Sequence, residues 1–396
     1  MTSVPGPESI DDLLGRARVV ALPMRVRFRG ITEREVVLFE GPAGWGEFGP
    51  FGEYHDPEAA HWLASAIEMA WQGPPAPLRS RVAVNATVPA VPAGEVAAIL
   101  DRFPGCTTVK VKVAERGQQL VDDVARVAAV LQARPGARVR VDANGAWSVA
   151  EAAHAVRVLD QAVRAADVSR TGPVSLDGPG LEYVEQPCAT VEELVELRER
   201  LAADGVSVDV AADESIRRAD DPLRVVRAGG ADRAVVKVAP LGGPRRLLAV
   251  AAELGVPVTV SSALDSAVGV AAGVATAAAL PPVRGGGGAA GGVSGGAGAH
   301  GGPGGAGGPG GSGGVSGGAG GHGGSGGDDD EVPAAGLGTG GFFVEDVVEP
   351  GTFALEDGYL PVRPVAPDPA RLEGLEVDGA RRGWWLDRIR RCHGLL

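Results

Sequence analysis

Short runs rich in β-branched residues recur along most of the sequence at fairly even intervals, and this recurrence constrains the fold more than any other feature. The eight runs are RVAVNATV (81–88), TVKVKV (108–113), RVRVDAN (138–144), LEYVEQP (181–187), VSVDVAADES (206–215), RAVVKVAPL (233–241), VPVTVSSAL (256–264) and GTGGFFVED (338–346). Between them lie stretches with helical spacing, such as GQQLVDDVARVAAVLQAR (117–134) and TVEELVELRERLAAD (190–204). Thr190 followed by Glu193 has the pattern of a capping box at a helix start. Strands that alternate with helices pair in parallel, and eight such units predict an α/β fold, a closed (β/α)8-type barrel over 81–347. An open doubly wound sheet is the alternative. It would carry a glycine-rich dinucleotide turn after an early strand, and no G-x-G-x-x-G occurs there.

Residues 1–80 read differently. RVRFRGITEREVVLFEGPAGWGEFGPF alternates strand-like segments around a turn at Gly41 to Gly44, as antiparallel hairpins do, and an apolar helix is expected from Pro57 to Trp71. A small N-terminal α+β domain ahead of the barrel follows. A C-terminal segment, 348–396, containing GYLPVRP (358–364) and LEGLEVDGARRGWWLDRIR (372–390), is expected to return to that domain or to pack under the barrel. Within the barrel region, residues 285–327 are mostly glycine with some Ala, Ser and Pro. They offer almost no apolar surface to offset the entropy of ordering, so a flexible insertion is expected.

Composition narrows the function classes. A hydrophobic content of 44% with only 4% aromatic residues suits a core of Ala, Val and Leu, and a net charge of -13 argues against a general nucleic-acid binder. The N-terminal stretch lacks a basic segment followed by an apolar run. The longest Ala/Val-rich segment, near 267–280, is too short and too interrupted by glycine to span a bilayer. A cytoplasmic protein with no membrane partner is expected, monomeric or homo-oligomeric. Cys106, Cys188 and Cys392 are odd in number and widely spaced, which fits reduced thiols better than disulfides or a zinc site.

Barrels of this kind carry their chemistry at the C-terminal ends of the strands. There the runs place Lys110 and Lys112, Asp142 and Asn144, Glu185 and Gln186, Asp213 and Glu214, and Lys237. Asp142, Glu185 and Asp213 come from three consecutive strands and would stand side by side, where unpaired carboxylates repel. A hard divalent cation removes that conflict, and an all-oxygen set without His or Cys favours Mg²⁺, or Mn²⁺, over zinc. The alternative is three acids each paired with a surface base. Lys110 and Lys112 alternate with Val109, Val111 and Val113, so the lysines share one strand face and the valines the other. Facing the barrel interior, with Lys237 across the cavity, Lys112 suits a base near neutral pH. The metal's task would be to hold a substrate carboxylate and to stabilise the enediolate formed when its α-proton leaves.

KVK, VDAN, VEQP, ADES and VKVAPLGG, in this order and on successive strands, resemble the enolase superfamily, and lysines on both the second and sixth strands are similar to its muconate-lactonizing subgroup. The resemblance spans nearly the whole chain outside the glycine-rich stretch. It implies that residues 1–80 form a capping domain, completed by C-terminal segments, over the barrel mouth. VTVSSALDSAVG has no histidine, and GTGGFFVEDVVEP carries Glu345 and Asp346 but no Asp-x-Asp, which disfavours the histidine-base branch and the dipeptide epimerases. RFRG, GPAGWGEFGPF, VDANGAW and EYVEQPC are most similar to o-succinylbenzoate synthases of the actinobacterial type.

That resemblance implies a hydro-lyase, converting 2-succinyl-6-hydroxy-2,4-cyclohexadiene-1-carboxylate to o-succinylbenzoate in menaquinone synthesis. By it, Asp142, Glu185 and Asp213 bind Mg²⁺, Lys112 removes the proton and returns it to the departing hydroxyl, and Lys237 steadies the enediolate from the opposite face. Lys110 is electrostatic, Asn144 and Glu214 buttress the acids, and Ser261, Ser262 and Gly336 hold the succinyl tail. Trp45 and Phe48 belong either to the cap's approach to the site or to ordinary packing. Arg27 and Arg29 either meet substrate carboxylates or are solvated. N-acylamino-acid racemase, or another lysine–lysine racemase or cycloisomerase, is the enzyme alternative; a non-catalytic barrel that binds a ligand is the alternative from another class.

Overall fold

The computed structural model describes residues 6–28, 30–171, 180–218, 221–282 and 332–396; the glycine-rich stretch 285–327 and Arg29 lie outside them. The antiparallel pattern near the N-terminus is realised as α1 (Ile10–Gly15) followed by β1 (Ala17–Phe28), β2 (Ile31–Gly41) and β3 (Gly44–Phe48), a sheet in that order, with α2 (Asp56–Trp71) against it. Helix and sheet approach so closely that a Cβ on Gly46 would lie 2.0 Å from the Ala66 carbonyl oxygen.

The barrel region runs through β4 (Arg81–Ala83), β5 (Ala86–Val88), α3 (Val96–Leu100), β6 (Thr108–Lys112), α4 (Leu120–Ala133), β7 (Arg138–Asp142), α5 (Val149–Thr171), β8 (Tyr183–Glu185) and α6 (Val191–Ala203). It continues with β9 (Asp209–Ala212), α7 (Glu214–Arg217), α8 (Arg224–Arg227), β10 (Arg233–Lys237), α9 (Val238–Leu241), α10 (Pro244–Leu254), β11 (Val258–Ser261) and α11 (Ala267–Ala279). Strands β5 to β11 form one parallel sheet in chain order. Alternation decides what each face carries. Val109, Val111, Val139, Val141, Val184, Val210 and Val236 are buried in the main hydrophobic core, whereas Lys110, Lys112, Asp142 and Glu185 sit at alternate positions on the other face. Each buried valine contributes about 1.5–3 kcal/mol of hydrophobic stabilisation. Thr190 accepts from the Glu193 amide, and Glu193 reaches back to the Thr190 amide, so the capping box at the start of α6 is present.

The eighth strand departs from the expected position. Residues Gly338–Phe342 form a 3-10 helix, and the ring is completed instead by Ala335 and Gly336. The Ala335 amide donates to Ala83 O at 2.7 Å and its carbonyl accepts from Asn85 N at 2.9 Å; Gly336 N donates to Val260 O at 2.8 Å and Gly336 O accepts from Ser262 N at 3.0 Å. Two residues thus bridge the edges of the parallel sheet. Gly336 is required there, because a Cβ would come within 2.5 Å of Ser261 Oγ.

After the barrel, β12 (Tyr359–Pro361) pairs antiparallel with β4, and α12 (Pro369–Leu375) and α13 (Gly379–His393) close the chain. The C-terminal helix completes the first domain. Trp385 meets Phe48 edge-on at 5.8 Å and donates to Glu35, while buried Arg388 donates to the carbonyls of Pro50, Phe51 and Tyr54. The three cysteines are buried and unbridged. Among the described residues no helix is long and apolar enough to cross a membrane.

Candidate functional site

Register brings the polar strand ends together. Lys112 pairs across the sheet with Asp142, and Asp142 with Glu185, so a lysine and two carboxylates occupy one level of three neighbouring strands. Lys112 Nζ donates to Asp142 Oδ2 at 2.5 Å and to Asn144 Oδ1 at 2.6 Å. Lys110 Nζ lies between two acids, 2.9 Å from Glu185 Oε1 and 3.1 Å from Asp142 Oδ2. Lys237, reaching in from β10, donates to Asp213 Oδ2, whose other oxygen accepts from Arg217 at 3.1 Å. Asn144 links outward to Glu214 at 3.2 Å, and Glu214 in turn accepts from Arg217 at 2.6 Å.

Lys110, Asp142, Glu185, Asp213, Arg217 and Lys237 are buried, while Lys112 and Glu214 are half-buried and Asn144 is exposed, so the charges of the inner groups act on one another strongly. Burial and the neighbouring Asp142 charge push the Glu185 carboxyl up to about 7, against the pull of Lys110. Burial would raise Asp142 as well, but Lys112 and Lys110 outweigh it and hold that carboxyl well below the usual carboxylate range. At Asp213 burial is again overcome, by Lys237 and Arg217, and the carboxyl falls to about 2. Burial pulls the Lys237 ammonium below the ordinary lysine range, with Asp213 opposing and Arg217 adding to it. At Lys110 the same burial is outweighed by Glu185 and Asp142, which drive its ammonium upward.

Among the described residues no three His, Cys, Asp or Glu side chains stand together as a ready ligand group, because ammonium groups are threaded between the acids. The donor set still fits a hard divalent cation. It is all oxygen, and one positive centre, the Lys110 ammonium, already serves both Asp142 and Glu185. Asp213 is near enough to raise Glu185 and to be lowered by Lys110.

Lys110, Lys112, Lys237, Asp142, Asn144 and Asp213 share a small cavity of about 40 Å³ with Ser261, Ser262 and Gly336. Glu185 reaches it through Lys110. A larger cavity of about 440 Å³, walled by Phe103, Phe343 and Phe353, holds none of the lysines and none of the three carboxylates. Chemistry, and not volume, marks the smaller one.

The predicted residues that fall elsewhere are few. Arg27 is exposed and donates to Gly30 O, Phe48 is packed against Trp385, and Trp45 is half-buried. Sequence reasoning passed over Thr87 and Thr339, which line the same cavity; Thr339 Oγ1 donates to Ser262 Oγ at 2.8 Å. It also passed over Arg140, wholly buried and bonded to Glu182, Asn85 and the Ala334 carbonyl. Arg140 stands two residues before Asp142 on the same strand face, a period-two signal that was available. Arg217 follows Asp213 by one helical turn, a spacing legible only once a helix there is known.

Family models agree with this architecture. Residues 19–70 match the enolase N-terminal domain-like model and residues 95–286 the enolase C-terminal domain-like model. Among solved structures, the muconate lactonizing enzyme of Pseudomonas fluorescens complexed with muconolactone superposes with a TM-score of 0.62 at 19% identity, over 91% of this chain and 98% of that one. The L-Ala-D/L-Glu epimerase of Bacillus subtilis superposes with a TM-score of 0.53 at 22% identity, over 66% of this chain and 85% of its own. At such identities the likeness speaks to fold alone. Curated relatives are far more similar. The o-succinylbenzoate synthase of Mycobacterium ulcerans (strain Agy99) is 51% identical over 393 residues, 99% of this chain and 98% of the relative. That of Mycolicibacterium smegmatis is 51% identical over 391 residues, 99% of each. The chain therefore belongs to the o-succinylbenzoate synthase family of the enolase superfamily.

Proposed function

We propose that this chain dehydrates 2-succinyl-6-hydroxy-2,4-cyclohexadiene-1-carboxylate to o-succinylbenzoate, a step of menaquinone synthesis. The observation that carries the reading is the meeting of Lys112 and Lys237 in one cavity with Asp142 and Asp213; the name shared by relatives 51% identical over 99% of the chain supports the choice of reaction. Asp142, Glu185 and Asp213 would hold Mg²⁺, or Mn²⁺ in its place; when bound, it supplies positive charge that grips the ring carboxylate and offsets the charge gained as the adjacent proton leaves.

Lys112 carries the proton. Its Nζ takes the proton from the ring carbon bearing the carboxylate, the neighbouring carbon–oxygen bond breaks with its electron pair on the hydroxyl, and Lys112 returns the proton to that oxygen. Water departs and the ring becomes aromatic. Lys237 steadies the negative charge that develops on the substrate, and Lys110, held between Glu185 and Asp142, offsets the charge of the acids. Asn144, braced by Glu214, fixes the reach of Lys112. Ser261, Ser262 and Gly336 border the end assigned to the succinyl tail. The division into a cap (1–80), a barrel (81–347) with an insertion at 285–327, and a C-terminal segment (348–396) belongs to the same proposal. So does a cytoplasmic setting, which three unbridged cysteines suit.

The test is direct. Purified protein with the cyclohexadiene acid should yield the ultraviolet absorbance of the aromatic product, should stop with EDTA, and should resume with Mg²⁺ or Mn²⁺. Absence of aromatic product in the presence of metal overturns the reaction, and turnover indifferent to EDTA overturns the metal site.

A further inference from the structure

The wall of the catalytic cavity on the side of β11 is the loop that joins this strand to α11. Its Leu264 sits at φ 64°, a left-handed conformation that a branched residue seldom adopts and that its surroundings must hold. Part of the hold is local. Ser262 Oγ accepts from the amides of Leu264 at 2.9 Å and Asp265 at 3.1 Å, and the Asp265 carboxylate accepts from Ala263 N at 2.9 Å and Ser262 Oγ at 3.0 Å.

The rest comes from the other domain. Arg34 on β2 donates to the Leu264 carbonyl at 3.0 Å. Glu47 on β3 accepts from the Ser266 amide at 3.1 Å, from the Gly269 amide at 3.1 Å and from the Ser266 hydroxyl. A cap-domain carboxylate thus satisfies two of the amides at the start of a barrel helix, while Asp346 accepts from Ala267 N and the Ser266 hydroxyl from Val268 N; such amides are normally met by a residue of the helix's own chain segment. Two glycines make room for it: Gly46, without which β3 could not lie against α2, and Gly269, whose Cβ would come within 2.9 Å of Glu47 Oε2.

Resting on the dehydratase reading above, we infer that Glu47 is a positioning residue for catalysis: through Ser266 and Asp265 it sets Ser262 and the adjoining wall against which the far end of the substrate lies. The cap thereby shapes the cavity as well as covering it. The requirement is for an acceptor, and a charge is not needed. Burial and the Asp265 charge, opposed by Ser266 and Arg34 and reinforced by Asp346, push the Glu47 carboxyl up to about 8.

Steady-state kinetics of Glu47→Ala, Glu47→Gln and Ser266→Ala test this, with Lys112→Ala beside them. Glu47→Ala should raise KM about tenfold with kcat within about threefold and Mg²⁺ affinity by titration unchanged, since its contacts lie away from the acids. Glu47→Gln, which keeps an acceptor oxygen, should bring KM back to within about threefold of wild type. Hydrogen exchange at the amides of 262–269 should quicken in Glu47→Ala and not in Glu47→Gln, an outcome independent of what the substrate is. Unchanged KM and unchanged exchange in Glu47→Ala overturn the inference, as does a fall in kcat alone. If Glu47→Ala does not fold, Ser266→Ala must show the same rise in KM and the same faster exchange, and wild-type values there overturn it. Wild-type protein that makes no aromatic product sinks the reaction, while the exchange result still decides the role of Glu47.

Discussion

Lys110 and Lys112 leave the same face of one strand, yet their partners give them different work. Lys112 reaches Asp142 and Asn144 at the rim, whereas Lys110 is wedged between Glu185 and Asp142. Lys112→Ala should lower turnover by several orders of magnitude with Mg²⁺ binding retained in calorimetric titration, and Lys112→Arg should not rescue it, because a guanidinium stays protonated. Lys110→Ala should keep far more activity. Removing its ammonium leaves buried Glu185 without its lysine partner and Asp142 with Lys112 in place of two lysines, so its Tm without metal should fall by about 5 °C or more and be largely restored by Mg²⁺. Asp142→Asn and Asp213→Asn should each weaken Mg²⁺ affinity more than about 100-fold while the protein stays folded, and a normal titration would remove that acid from the ligand set. Glu47 gives a pH signature of stability. Its carboxyl moves from the ordinary 4.5 to about 8 on folding, so its contribution is full below pH 4.5 and is lost as pH rises through about 8. Thermal melts of Glu47→Gln should therefore gain on wild type as pH goes from 5 to 9, and parallel curves would contradict the shift.

Among the elements, α6 shows how a local signal survives into the structure. Thr190 and Glu193 satisfy each other's amides within four residues, so no tertiary contact is needed to read them. Thr190→Ala should cost about 1 kcal/mol in urea unfolding while leaving KM unchanged. The eighth strand shows the opposite. Ala335 bridges to Val84, just ahead of β5, and Gly336 to Ser261 of β11, and two residues are too few to display a period of two. GTGGFFVED looked more strand-like, but its glycines at 338, 340 and 341 leave it free to coil into a 3-10 turn after the ring has closed. The β11–α11 loop was legible as a place for Ser261 and Ser262 and not for what holds them, since Glu47 lies 219 positions away from Ser266 in the chain.

At the scale of the whole molecule, the C-terminal segment returns to the N-terminal domain. Arg388 of α13 is buried and holds the carbonyls of Pro50, Phe51 and Tyr54, and β12 pairs with β4, so the C-terminal segment packs on both the N-terminal domain and the entry to the barrel. Residues 285–327 contribute no lysine or carboxylate to the proposed chemistry. Replacing them with a short linker should leave the melting curve intact and turnover within about threefold, because shortening a long loop changes closure entropy only slowly; a folded deletion variant without turnover would bring that stretch into the site. By itself the sequence determined the alternation of strand and helix and the face on which each lysine and acid stands, because periods of 2 and 3.6 are local geometry that side-chain polarity records directly. Only the tertiary structure decided which residues close the ring, that Lys110 lies between Glu185 and Asp142 while Lys112 reaches Asp142 and Asn144, and that Glu47 reaches from the cap to the start of α11. Those depend on contacts between distant segments, and no local period encodes them.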